Sequence, residues 1–79
     1  MKNSDAINNE IRILKRQIQL HEENIETAKK NLQSTLQGAP SDIVAFGRQI
    51  INDIEKNINA IQVKTDKVET LEWIVSDED

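Results

Sequence analysis

Cysteine and tyrosine are absent from this 79-residue chain, and phenylalanine, tryptophan, histidine and proline each occur once. Without cysteine there is no disulfide framework, no thiolate nucleophile and no thiolate ligand for a metal. One histidine, with no tyrosine or cysteine beside it, leaves too few groups for an acid–base or nucleophilic constellation. The expectation is a protein that is not an enzyme and carries no cofactor or metal. Glycine occurs twice, at Gly38 and Gly47, so long stretches run without a breaker. No apolar run approaches the ~18 residues of a membrane span. Met1-Lys2-Asn3-Ser4-Asp5 leads into polar sequence rather than the apolar segment of a signal peptide. The expected location is therefore cytoplasmic, with no membrane partner.

The charge balance excludes less. The net charge is −4, with 30% of residues charged and both signs interspersed. Such mixing marks solvated helix surface rather than a disordered tail. A negative chain lacks the basic face that releases counterions from nucleic acid, so no nucleic-acid partner is expected. The abundance of isoleucine, asparagine and lysine points to an AT-rich bacterial or phage genome.

What is present in quantity is a periodic stripe. Ile7, Ile11, Leu14, Ile18, His21, Ile25, Ala28, Leu32 and Thr35 are spaced alternately four and three apart. That spacing keeps one side of a helix turned toward a neighbouring helix. A second stripe follows: Ile43, Gly47, Ile50, Ile54, Asn57, Ile61, Lys64, Val68, Leu71 and Val75. Between them lies Gly38-Ala39-Pro40-Ser41, the one breaker cluster. Gly38 is expected to close the first helix in the left-handed conformation, Pro40 to stop it, and Ser41 to cap the second. Ser4 is the expected cap of the first helix.

The expectation is an all-α fold, one domain spanning 1–79. Helix 1 covers about 5–37, the turn 38–41, helix 2 about 42–75 and an acidic tail 76–79, its last helical turn frayed. A short connection makes the helices antiparallel. Folding the chain at Ala39 places Ile11 near Val68, Ile18 near Ile61, Ile25 near Ile54 and Leu32 near Gly47. Arg12 and Arg16 then approach Asp66 and Glu69, and Lys29 approaches Asp53. Gly47 either lets a facing group come close or marks an irregular stretch of helix.

A two-helix coiled-coil hairpin hides its seam and leaves its flanks open. Ile13, Leu20, Leu36, Val44, Phe46, Ile51, Ile58 and Ile74 lie there, and burying one such side chain contributes roughly 1.5–3 kcal/mol. The expected remedy is a homodimer forming a four-helix bundle. The interaction face is assigned to Ile13, Leu20, Val44, Phe46, Ile51, Ile58 and Trp73. Trp73 either anchors a partner or covers the bundle end near Ile7 and Ile11.

His21 and Asn57 fall on facing stripes at one level. They are expected to form a buried polar layer that fixes register; the competing readings are a pH-sensitive layer or a metal ligand. No metal-binding spacing surrounds His21, since residues 18 and 25 are both isoleucine. Glu22, Glu23 and Glu26 make an acidic spot on a solvated surface. The function expected is a small adaptor, inhibitor or assembly factor that binds an unidentified protein. The alternative is a regulator of a nucleic-acid transaction, acting through the Arg12–Arg16 basic patch or by acidic competition for a DNA-binding protein.

Overall fold

The computed structural model describes the backbone of residues 2–78 and the side chains of residues 4–77. Met1, Asp79 and the Glu78 side chain, parts of the expected loose start and acidic tail, lie outside the described residues. Helix α1 runs from Lys2–Thr35. A short helix α2, Pro40–Asp42, leads into a π-helical turn at Ile43–Gly47 and then into helix α3, Arg48–Glu78. The segment from Pro40 onward forms one continuous arm that returns along α1. The described residues contain no strand. The chain is an all-α helical hairpin, a rod of 59 × 14 × 12 Å.

The turn is built differently from the expectation. Neither glycine adopts a positive φ, so Gly38 does not close α1 in the left-handed conformation. Instead the backbone tightens. The Gln37 N–H donates to the Ser34 carbonyl at 3.2 Å, and the Gly38 N–H to that of Thr35 at 3.0 Å. These three-residue bonds use carbonyls that the helix end leaves open. A Cβ on Gly38 would sit 3.3 Å from the Thr35 carbonyl oxygen, so the missing side chain permits this close return.

The second arm starts at Pro40, not at a Ser41 cap. Ala39 is the extended residue before it (φ −66°, ψ 150°) and supplies no side-chain cap. Proline at the first helical position has its φ already set and has no N–H to leave unsatisfied. The Ala39 carbonyl accepts from the N–H groups of both Asp42 and Ile43, at 3.0 Å each. At the other end of α1 the helix already includes Ser4, so this residue is not the cap. The helix of the second arm persists through Glu78, past the point where acidic residues were expected to fray it.

The two stripes meet as their spacing requires. Ile11, Leu14 and Val68 form the buried core, with Ile7, Ile18, Leu71 and Val75 packed against it. All seven belong to the open end of the hairpin, away from the turn. Towards the turn the seam residues Ile25, Leu32, Ile43, Ile50 and Ile54 are only partly buried.

Gly47 combines the two expectations for it. It is buried, with Leu32 Cδ1 3.8 Å from where a Cβ would stand, and it ends the π-helical turn. π-helical turns insert one extra residue into an α-helix. Here that widened turn lies where the second arm leaves the tight connection and settles against α1.

Candidate interaction surface

The polar layer forms, with a third member. His21 Nδ1 lies 2.8 Å from Asn57 Oδ1, and Lys64 Nζ lies 2.8 Å from His21 Nε2. Lysine only donates, so Nε2 accepts; Nδ1 then carries the ring hydrogen and donates to Asn57 Oδ1. The Asn57 amide donates onward to the Asp53 carbonyl, one turn earlier in α3, at 2.8 Å. All three side chains are half-buried, and among the described residues no buried side-chain polar atom lacks a partner. Lys64 stands on the second stripe beside Asn57. Its seam position was the signal that it belongs here, although sequence reasoning paired only His21 with Asn57. Both ring nitrogens are engaged within the hairpin. Among the described residues, no three of His, Cys, Asp or Glu converge as a metal site.

The flanking apolar side chains divide between two sides of the rod. The first side is marked by the ion pair of Lys15 with Glu72, at 3.2 Å across the two arms. Seven-residue steps back from Glu72 pass through Thr65 to Ile58, Ile51 and Val44. Val44 and Ile51 share an open groove with Leu32, Leu36 and Gly47. Leu36, Val44, Ile51 and Ile58 are therefore neighbours on one side, and all four are exposed.

The second side carries two polar-rimmed grooves. One is lined by Glu10, Lys67 and Thr70, the other by Asn24, Thr27, Asn31, Asp53 and Lys56. Ile13 and Leu20 precede Thr27 on its row. Phe46 precedes Asp53, Val63 lies between Lys56 and Thr70, and Ile74 follows Lys67. Ile13, Leu20, Phe46 and Val63 are exposed, whereas Ile74 is half-buried. Val63 was missed at the level of sequence, although it holds the same position relative to its seam as Ile13 and Leu20 do to theirs.

Trp73 is 68% exposed and belongs to neither side. Its row, through Asn52, Asn59 and Asp66, is otherwise polar and exposed. It does not cover the bundle end near Ile7 and Ile11.

The basic patch is engaged locally. Arg12 donates to Asn9 Oδ1 at 2.7 Å and Arg16 to Gln19 Oε1 at 3.2 Å, rather than reaching Asp66 or Glu69. Lys29 pairs with Glu26 on its own helix at 3.0 Å, not with Asp53. These exposed pairs contribute at most ~1 kcal/mol each. Among the described residues, no helix is long and apolar enough to cross a membrane. Compared with known proteins, the chain matches no family model, no curated protein sequence and no solved structure.

Proposed function

We propose that the chain is a non-enzymatic protein–protein interaction module that presents apolar side chains along a helical rod. The accessible surface carries this reading. It measures 6071 Å², whereas a compact monomer of 9.0 kDa exposes about 4,900 Å². The rod therefore shows roughly 1,200 Å² more, and a standard protein–protein interface takes about 800 Å² from each partner. Among the described residues, nine large apolar side chains are exposed, which is more than scattered surface residues on a soluble monomer require.

Capture of cellular proteins on the immobilised chain, compared with capture on Ile13→Asp/Leu20→Asp and Ile51→Asp/Ile58→Asp, tests the reading. Loss of a specific band with one double variant supports it. Identical capture by all three chains rejects it. The alternative, regulation of a nucleic-acid transaction through Arg12 and Arg16, is checked by gel shift with random duplex DNA near physiological salt. The expected result is no shift, because too few phosphates are neutralised. A shift abolished by Arg12→Ala/Arg16→Ala reverses the order of the two readings.

A further inference from the structure

We propose that the side bearing Leu36, Val44, Ile51 and Ile58 docks onto the same side of a second copy, about a two-fold axis passing beside Ile51. The proposal rests on the interaction reading above and names the occupant of one of its two apolar sides.

The first support is the symmetry of the row. Ile51 and Ile58 lie seven residues apart on α3, and Val44, in the π-helical turn seven residues before Ile51, lines the same groove as Ile51. A two-fold axis beside Ile51 runs the two copies of the arm antiparallel. It sets Ile51 against the partner's Ile51 and Val44 against the partner's Ile58. A self-complementary patch of this kind is what an isologous dimer needs.

The second support is charge. On the outer flank of the row, one step from it, stand Arg48 and Glu55, on either side of the axis. Antiparallel pairing about Ile51 brings Arg48 opposite the partner's Glu55, and Glu55 opposite the partner's Arg48. On α1, Lys29 lies level with the axis and seven residues before Leu36. Its charge is already matched by Glu26 at 3.0 Å.

The third support is area. Ile51 and Ile58 are about half exposed, at 52% and 49%, and Leu36 and Val44 somewhat more, at 55% and 61%. They adjoin the open groove beside Leu32, Ile43 and Gly47. This side thus presents four large, half-exposed apolar side chains and an open groove for a second copy to cover. The same contact places the two hairpins side by side over their turn halves, as a four-helix bundle whose open ends project in opposite directions.

Sedimentation equilibrium at micromolar concentration, with helicity followed by circular dichroism, tests the docking. The wild type is expected at twice the chain mass. Arg48→Glu raises the dissociation constant about tenfold, and adding Glu55→Arg restores it. The absence of native cysteine provides an independent readout. Ile51→Cys alone oxidises to a covalent dimer, Val44→Cys alone does not, and Val44→Cys with Ile58→Cys does. A helical wild-type monomer overturns the proposal, and capture of other proteins then judges the interaction reading separately. A dimer indifferent to the charge changes and to the cysteine positions also overturns it, because another face is then in use.

Discussion

The open half and the turn half of the hairpin share one helical spacing and pack it differently. Near the open end, Ile7, Ile11, Leu14 and Ile18 interlock with Val68, Leu71 and Val75, and the only buried large side chains among the described residues are there. Near the turn the seam meets Gly47 across from Leu32, the backbone widens into a π-helical turn, and Leu36, Val44, Phe46 and Ile51 remain exposed. His21, Asn57 and Lys64 stand between the two halves. Two helices alone make a core only where large side chains alternate across the seam. Where a glycine takes a seam position, the apolar content moves to the flanks. The open half thus holds the buried core of the hairpin, while exposed apolar side chains lie in both halves, Ile13, Leu20 and Trp73 in the open half and Leu36, Val44, Phe46 and Ile51 near the turn.

Leu14→Ala puts this contrast to its hardest test. It removes a buried side chain at the open end and should cost about 2–4 kcal/mol in denaturant unfolding. Leu36→Ala at the exposed turn end should cost less than about 0.5 kcal/mol in the monomer. Equal losses would show that the two halves are packed alike.

A smaller effect is expected from the layer that divides them. Replacing His21, Asn57 and Lys64 together by leucine or isoleucine should stabilise the hairpin by about 1–2 kcal/mol, because an apolar layer avoids desolvating polar groups. His21→Leu alone should destabilise it, since the Lys64 ammonium and Asn57 Oδ1 both lose their partner. Thermal unfolding of both variants measures the difference. A single variant as stable as the triple would mean the layer carries no shared network.

Gly47→Ala sharpens the account of the turn half. The added Cβ meets Leu32 and Ile43 at 3.8 and 3.9 Å, ordinary contact distances. It should add about 1 kcal/mol, the helix preference of alanine over glycine. Destabilisation would show that the widened turn itself needs glycine. The smallest effect belongs to Lys15 and Glu72. A double-mutant cycle on this exposed pair should return about 0.2–1 kcal/mol, decreasing with added salt.

Rows of side chains were legible from the sequence because their spacing admits one helical phase. The same spacing put Leu32 opposite Gly47 and His21 opposite Asn57, and both meetings occur. The π-helical turn was not legible. A four-three alternation at Ile43, Gly47 and Ile50 is satisfied equally by a regular helix, and nothing in those residue types demands the extra residue. The ion pairs were not legible either. Arg12 and Arg16 found Asn9 and Gln19 on their own helix, while Lys15 took the partner across the seam. Long charged side chains reach a full turn in either direction, and exposed pairs differ by too little energy for the register to select one. The division of the apolar flanks between two sides was implicit in the rows. It becomes plain only when Lys15 and Glu72 mark one side and Thr27, Lys56 and Thr70 the other.

The placement of the Ile11, Leu14 and Val68 cluster also fixes how the rod answers to force. Lys2 and Glu78 are the two tips of the open end, so tension applied across them peels the arms apart one layer at a time rather than sliding them past each other. The strongest layers come first. The weaker seam beyond His21 then opens with little further resistance, and the hairpin yields in one event like a clasp released at its catch.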